Sequence, residues 1–287
     1  MPIHRLAAVA TAAFVACVSA SPALAQSSDA QPPPRVAISG SATIASDYRF
    51  RGVSQTDREM AVQGGVTLSH DSGVYAGVWG SNLAGWGTFG GANMELDLIA
   101  GYKATVGGGA TLDVGAVWYM YPGGADETDF VEPYAKLTGT TGPATLTADV
   151  AYAPKQEALG PWYFTGADAA AGIFNDPGAT DDNLYLWGDA ALGIVGTPLT
   201  AKAHIGHSDG NPGLGPNATS VSPTGDYWEW SLGIDATWRG LTLGVSYVDT
   251  DISARDAAYL QPSFSKGQDG TGSIAGGTAL VSLTAAF

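Results

Sequence analysis

Fifteen charged residues in this sequence alternate with apolar neighbours along short stretches of chain. Carboxylates that face a common passage raise the local concentration of cations and repel anions, and an arginine can hold a carboxylate or phosphate group through paired hydrogen bonds. On the inside of a barrel, these side chains would form an acidic, weakly cation-preferring lining. The acidic residues of the set are Asp47, Glu95, Asp97, Asp113, Glu132, Asp149, Asp189, Glu229, Asp235 and Asp249, and the basic residues are Arg49, Arg51, Lys103, Lys136 and Lys202.

The same charges allow a second interpretation, in which the carboxylates pair with the five bases and hold a narrow barrel shut. Arg49 and Arg51 share one face of their predicted strand, about 7 Å apart from two strand rises. They could bind an anionic group of a solute, or they could pair with Asp47, Glu95 or Asp97 and brace the wall. These alternatives stay open at the level of the sequence.

The stretch from Val36 to Gln55 shows which element positions the first of these charges. Its first fifteen residues alternate with a period of two, with apolar residues such as Ile38 and Ile44 on one face and polar residues on the other. The pattern predicts a strand whose Tyr48 and Phe50 lie in a girdle at a membrane interface. Taken alone, the stretch also fits a soluble β-sandwich strand with one wet face.

The alternation recurs and predicts about twelve strands, each near the ~10 residues that a tilted membrane-crossing strand needs. The predicted strands are 36–50, 60–70, 73–81, 94–103, 111–121, 130–138, 144–152, 184–195, 199–207, 228–238, 241–249 and 276–287. Pro133, within the sixth strand, is tolerable only at a bulge or a strand start.

The connections between these strands alternate between short turns and longer segments rich in Gly, Pro, Asp and Asn. The longer segments are 51–59, 82–92, 122–129, 153–183, 208–227 and 250–275. Short turns at one end and long loops at the other are typical of outer-membrane barrels, whereas a soluble sandwich shows no such asymmetry. The sequence therefore predicts an all-β fold, a transmembrane antiparallel up-and-down β-barrel with short periplasmic turns and long extracellular loops.

The two ends of the chain predict export to the outer membrane of a Gram-negative bacterium. Residues 1–25 read as a Sec signal peptide cleaved after Ala23-Leu24-Ala25, residues 26–35 as a flexible polar and proline-rich leader, and residues 36–287 as the barrel. Cys17, within the signal, is a weaker match to a lipoprotein acceptor site. The last strand presents Ala279, Val281, Leu283, Ala285 and Phe287 on one face, which resembles the terminal strand that the β-barrel assembly machinery recognises.

Composition excludes several other classes of function. After the signal no apolar run approaches the ~18 residues of a membrane helix, and 27 Asp and Glu against 12 Lys and Arg disfavour nucleic-acid binding. His204 and His207 point to opposite faces of one strand, His70 lies in a turn, and no serine lies in a nucleophile elbow. Residues 249–251 and 208–211 lack the spacing of an EF-hand. We therefore expect no enzymatic activity, metal or cofactor.

One block of the sequence resembles a known family. The block SDYRFRGVSQT at 46–56, followed by QGG at 63–65, SGVYAGVWGSN at 72–82, Glu95-Leu96-Asp97 and Gly101-Tyr102, is similar to the TorF-type porin family, also called the Gcw_chp domain family. The likeness covers the mature chain to Phe287, and its later two thirds agree only in pattern. It implies an outer-membrane pore without naming the solute.

The expected function is passive diffusion of small hydrophilic solutes or ions through this barrel, in contact with outer-membrane lipid. The alternative is a non-conducting structural or adhesive barrel that meets a partner through its loops. Aromatic residues in the predicted loops fit either that partner surface or an inward constriction. They are Trp86, Phe89, Trp162, Tyr163, Phe164, Phe174, Tyr259 and Phe264.

Overall fold

The computed structural model describes residues 35–211, 214–217, 221–268 and 272–287. Twelve antiparallel strands form a closed barrel in which neighbours in sequence are neighbours in the wall, and the last strand pairs with the first. The predicted fold class is confirmed. The predicted signal peptide, Cys17 and all of the leader except Arg35 lie outside the described residues.

The regular elements follow the chain in this order. In the part of the chain that the structure describes, the strands and the α-helix are β1 (Val36–Ala45), β2 (Arg49–Phe50), β3 (Val53–Ser54), β4 (Ala61–His70), β5 (Val74–Asn82), β6 (Met94–Thr105), β7 (Thr111–Met120), β8 (Phe130–Thr141), β9 (Ala144–Gln156), α1 (Gly166–Ala171), β10 (Asp181–Gly193), β11 (Leu199–Gly210), β12 (Asp226–Trp238), β13 (Leu241–Thr250) and β14 (Thr278–Ala286). Short 3-10 helices lie at Gly85–Gly87, Phe89–Gly91, Gly107–Gly109, Asp126–Thr128, Glu157–Leu159, Asp256–Leu260 and Lys266–Gln268. Within the described ranges, no helix is both long and apolar enough to cross a bilayer.

The first predicted strand is wrong in its second half. β1 ends at Ala45, ten residues after it begins, and the chain then leaves the wall. Tyr48 and Phe50 are 3% and 7% exposed and lie inside the barrel, so they belong to no interfacial girdle. The period-two pattern continues past Ala45 because β2 and β3 form a small hairpin of their own, which the twelve wall strands surround.

The barrel has two different ends. At the short-turn end, the connections are residues 71–73, 106–110, 142–143, 194–198 and 239–240, and β1 begins and β14 ends there. At the long-loop end, the chain runs through residues 46–60, 83–93, 121–129, 157–180, 211–225 and 251–277. This alternation is the predicted one.

Pro133 is accommodated at a place where the wall needs no N–H donor. The Gln156 side chain bonds to both the backbone N–H and the carbonyl of Val131, at 2.7 and 2.9 Å, so the backbone polar groups of Val131 point towards β9. The backbone nitrogen of Pro133, two residues later in the strand, points the same way. The β8–β9 pairing begins only at Tyr134 and Ala151. The proline therefore lies just outside that ladder.

The outer wall is apolar around its circumference. Side chains such as Leu68, Leu98, Leu146, Val245 and Leu283 are 43 to 56% exposed and have no protein neighbour above them. Two belts of exposed aromatic residues border this band. Tyr102, Trp238 and Phe287 lie towards the short-turn end, and Trp118, Tyr152, Trp228 and Tyr247 lie towards the long-loop end. This is the surface that a barrel presents to lipid.

Tyrosines lie flat against the inner wall where the neighbouring strand carries glycine. A Cβ at Gly101 would overlap the phenol of Tyr75, and a Cβ at Gly206 would overlap the phenol of Tyr185. Glycine at these positions lets a large ring occupy the lumen side without displacing the wall.

We expect arginine to be costly on the outer face and tolerated on the inner face of the same strand. Val245, near the middle of β13, points outward, and Ser246 points inward. Val245→Arg should lower the free energy of unfolding in lipid vesicles by about 2 to 4 kcal/mol, the cost of a cation near the bilayer midplane. Ser246→Arg is the matched control and should cost less. Equal losses, measured by urea titration with tryptophan fluorescence, would contradict the lipid-facing assignment.

Candidate functional site

The inner hairpin is held in a sharp turn that directs its tip across the lumen. β2 and β3 pair through Arg49 with Ser54 and Phe50 with Val53, so Arg51 and Gly52 form the turn. Both have left-handed backbone conformations, with φ of 47° and 78°. Two consecutive residues with positive φ are characteristic of a tight two-residue hairpin. A left-handed arginine is strained, so other contacts must hold it there.

Asp47 organises the base of the hairpin. Its carboxylate lies 2.6 Å from Arg49 Nε and accepts hydrogen bonds from the hydroxyls of Ser54 and Thr56 at 2.5 and 3.0 Å. Arg49 also donates to the carbonyl of Gly52 at 2.8 Å. The structure therefore pairs Arg49 with Asp47, which is the bracing role, rather than the solute-binding role, of the two that the sequence allows.

Arg51 attaches the tip of the hairpin to the opposite wall. Its Nη2 lies 2.6 and 2.8 Å from the two carboxylate oxygens of Glu132 on β8, and its Nη1 donates to Asn183 Oδ1 on β10 at 2.6 Å. The guanidinium carbon lies 4.0 Å from the ring centroid of Tyr185. Tyr227 on β12 donates to the Arg51 carbonyl at 2.9 Å. The Arg51 and Glu132 side chains are 0% and 1% exposed.

These contacts correct the expected partners of Arg51. The sequence alternatives paired it with Asp47, Glu95 or Asp97, on the assumption that it lay in a wall strand. Because the turn lies inside the lumen, Arg51 instead reaches strands on the far side of the barrel. We call this set of contacts, from Arg51 to Glu132, Asn183, Tyr185 and Tyr227, the latch.

Apolar packing fills the long-loop half of the lumen around the hairpin. Tyr48 and Phe50 join one buried cluster with Phe89, Tyr119 and Phe130. Val53 joins a second cluster that includes the loop residues Trp86, Leu214, Leu260, Phe264 and Ile274. Among the predicted loop aromatics, Trp86, Phe89 and Phe264 are therefore turned inward, and Trp162 is buried within its own loop against Ala179. Phe164 and Phe174 are more than half exposed.

Two carboxylates of β6 also face the hairpin. Glu95 and Asp97 are 2% and 5% exposed, and Tyr48 donates a hydrogen bond to Glu95 at 3.0 Å. They line the buried half of the lumen together with Glu132 and Glu229.

The short-turn half of the lumen is polar and partly exposed. On most strands the inward side chains there retain solvent access, in contrast to those of the long-loop half. Paired threonine hydroxyls line this part of the wall, at Thr43 with Thr284, Thr138 with Thr147, Thr140 with Thr145 and Thr237 with Thr242. We call this polar half of the lumen the vestibule.

Charges of alternating sign run across four neighbouring strands of the vestibule. Lys103 lies opposite Asp113, Asp113 opposite Lys136, and Lys136 opposite Asp149. Lys103 Nζ is 3.6 Å from Asp113 Oδ2, and Tyr75 donates to Asp113 Oδ1 at 2.6 Å.

The remaining vestibule charges form two local groups. Lys202 Nζ lies 2.8 Å from Asp235. His204 Nδ1 lies 2.7 Å from Asp189, and its Nε2 lies 3.3 Å from Glu229 Oε1. His204, Tyr48, Tyr185 and Asn183 were not among the candidate residues of the sequence. The alternation of the sequence indicates that these side chains point inward, but it does not indicate their partners, which are distant in the sequence.

Asp249 does not face the lumen, and its assignment to the inner lining is wrong. It shares the face of Leu243, Val245 and Tyr247, which are exposed on the outer wall, and Tyr247 donates to it at 3.0 Å. It lies next to the end of β13, beside the outer aromatic belt, where a carboxylate can reach water.

A surface ion pair ties the segment after the hairpin to the last long loop. Lys266 Nζ is 2.8 Å from Glu59 Oε1. This hydrogen bond lowers the pKa of Glu59 and raises the pKa of Lys266 from their usual values. The contribution from Glu59 is present at neutral pH and is lost as the pH falls through its lowered pKa. Both side chains are exposed, so the effect on stability is small.

Among the described residues, no cluster of three or more His, Cys, Asp or Glu side chains has the arrangement of a metal site. The site is therefore a set of lumenal charges and a hairpin anchored by one of them. A family model described as "Bacterial protein of unknown function (Gcw_chp)" matches residues 29–287.

The chain belongs to the Gcw_chp family. No curated protein matches it. Its fold is similar to an outer membrane channel from Pseudomonas putida F1 (9% identity, 91% of this chain and 99% of the other covered, TM-score 0.41). It is also similar to the outer membrane channel DcaP of Acinetobacter baumannii (11%, 88% and 97%, TM-score 0.39) and the outer membrane protein opdK of Pseudomonas aeruginosa (13%, 90% and 67%, TM-score 0.40). Similarities this low do not extend to a shared solute.

We expect the latch to show strong coupling in a double-mutant cycle. Arg51→Gln and Glu132→Gln should each lower the free energy of unfolding by about 3 to 5 kcal/mol, because each leaves one buried charge without its partner. The double variant should cost clearly less than the sum of the two. Arg255→Gln, at an exposed loop position, is the matched control and should change stability little. Additive losses, measured by urea titration, would show that Arg51 and Glu132 do not act as a pair.

Proposed function

We propose that this chain is a porin-like channel of the outer membrane, whose long-loop half is closed in the present conformation by the inner hairpin. The observation that carries the proposal is the vestibule, a polar and solvent-accessible lumen inside a wall that is apolar outside. A barrel that only anchors loops could fill this half of its lumen with apolar side chains as well. Small hydrophilic solutes or ions are the class of solute that such a lining accommodates.

Outer-membrane topology sets the orientation of this channel. Short turns face the periplasm and long loops face the exterior in such barrels. The vestibule would then open to the periplasm, and the hairpin would close the extracellular side. The outward Val281, Leu283 and Ala285 and the terminal Phe287 support recognition of β14 by the β-barrel assembly machinery, after Sec export.

The division of charge in the lumen favours a weak preference for cations. The vestibule carries Asp113, Asp149, Asp189 and Asp235 against Lys103, Lys136 and Lys202, so these charges are close to balance. Most of the acidic excess that the sequence shows lies instead around the hairpin. A solute reaches those carboxylates only when the hairpin moves.

The loop surface favours a second candidate function. Phe164, Ile173 and Phe174 are 53 to 59% exposed beside α1 at the long-loop end. An exposed apolar tip of this kind is a feature of contact surfaces. A non-conducting barrel that meets a partner through these residues is therefore the alternative to a channel.

We expect single-channel recordings of the purified protein in planar bilayers to distinguish these functions. The protein should show long closed periods with brief stepwise openings, and a salt gradient should reveal a weak preference for cations. Arg51→Gln should raise the open fraction by at least about tenfold, since ~1.4 kcal/mol lost from the latch is enough for that change. Arg255→Gln should leave the open fraction unchanged. A folded barrel that conducts no current, either unaltered or as the Arg51→Gln variant, would contradict the channel function.

A further inference from the structure

Asp149 is a buried carboxylate of the vestibule that no hydrogen bond reaches. It points inward from β9, is 7% exposed, and neither Oδ1 nor Oδ2 receives a hydrogen bond. Burial of an unbonded carboxylate is costly, so such a group indicates either strain or a missing donor. Trp187 of β10 lies opposite Asp149, and no hydrogen bond from its indole N–H reaches the carboxylate.

A second carboxylate connects Asp149 to the vestibule. Asp189 lies two residues along β10 from Trp187 on the same inner face, and it interacts electrostatically with Asp149. One oxygen of Asp189 is 2.7 Å from His204, and its side chain is 26% exposed. A solute in the vestibule therefore meets Asp189 first and Asp149 behind it.

The chain itself shows which chemical group this position accepts. Lys136 lies directly opposite Asp149, and its ammonium is 5.2 Å from the ring centroid of Trp187 and 5.2 Å from that of Tyr134. An ammonium between aromatic faces and beside a carboxylate gains both cation–π and charge–charge attraction. On its other side Lys136 lies opposite Asp113, so its flexible side chain has a second carboxylate to move to.

We propose that Asp149 and Asp189 form a binding site for the primary ammonium group of a small organic solute in the vestibule. The solute ammonium donates to the two carboxylates and lies against the ring of Trp187, while Lys136 turns towards Asp113. The proposal deepens the channel function, because it names a class of solute, and it rests on the vestibule being open to solvent.

The surroundings favour an ammonium over a metal cation or an anion. The described carboxylates and histidine here do not form a metal-binding group of three or more ligands. Three acidic side chains, Asp149, Asp189 and Glu229, lie here beside Lys136, Lys202 and His204, and Lys202 and both ring nitrogens of His204 already face carboxylates, which disfavours an anion. Aromatic faces add attraction for an organic cation that a small, strongly hydrated metal ion cannot use as well.

Equilibrium titration of the detergent-solubilised full chain with n-butylammonium chloride, by calorimetry, tests this site. We expect saturable binding, with n-butanol and potassium chloride giving none in the same range. Asp149→Asn and Asp189→Asn should each weaken binding at least about tenfold, equivalent to ~1.4 kcal/mol. Lys136→Met should tighten binding because it removes the competing ammonium of the chain. Asp71→Asn, the same change in an exposed short turn, should have no effect.

Several outcomes would overturn the site. These are absence of saturable binding, equal competition by potassium chloride, or binding unaffected by Asp149→Asn, Asp189→Asn and Lys136→Met. Lys136→Met keeps the test decisive if an asparagine variant fails to fold. Because binding is measured without flux, a silent barrel that binds n-butylammonium would refute the channel alone, and a conducting barrel that does not bind it would refute the site alone.

Discussion

The arrangement of this barrel depends on one buried ion pair that crosses its lumen. Arg51 lies at the tip of a two-residue turn and meets Glu132 on the far wall, with both side chains excluded from water. A buried pair of this kind adds little stability over apolar packing, yet loss of either partner is costly. The pair therefore specifies where the hairpin lies. The left-handed backbone at Arg51, the stacked Tyr185 and the packing of Tyr48 and Phe50 all follow from that position.

With the hairpin in place, the lumen divides into a dry half and a wet half, and each takes a different share of the charges. Around the hairpin, carboxylates outnumber the bases and are covered by aromatic side chains and loops. In the vestibule, lysine and aspartate alternate on adjacent strands, so that neighbours neutralise one another while remaining near water. A strongly acidic chain can thus present a nearly neutral passage, and Asp149 stands out there because its oxygens lack donors.

The strands could be predicted from the sequence because their signal is local. Alternation with a period of two, together with turn residues at regular spacing, located all twelve wall strands with ends within about four residues, except for the first strand, which was extended five residues too far. The departure of the chain at Ala45 could not be predicted, because the partners that hold the hairpin, Glu132 and Asn183, are far away in the sequence and cannot be read from residues 46–56. The alternation of Leu243, Val245 and Tyr247 places Asp249 on the outer face of β13, but the prediction assigned Asp249 to the lumen because it is charged. Which loop aromatics turn inward depends on packing between loops, for which a single sequence carries no periodic signal.

Hydrogen exchange of the hairpin amides in the membrane-embedded protein tests the central claim most directly. Ser54 N–H donates to the carbonyl of Ile274 at 2.9 Å, and Gln55 N–H donates to that of Tyr48 at 2.7 Å. If the hairpin is packed in the lumen, these amides should exchange orders of magnitude more slowly than those of the exposed loop residues Ala254 and Arg255, and Arg51→Gln should speed their exchange selectively. Exchange at the rate of the exposed loop in the unaltered protein would show that the hairpin does not occupy the lumen, and the account of a latched barrel would fail.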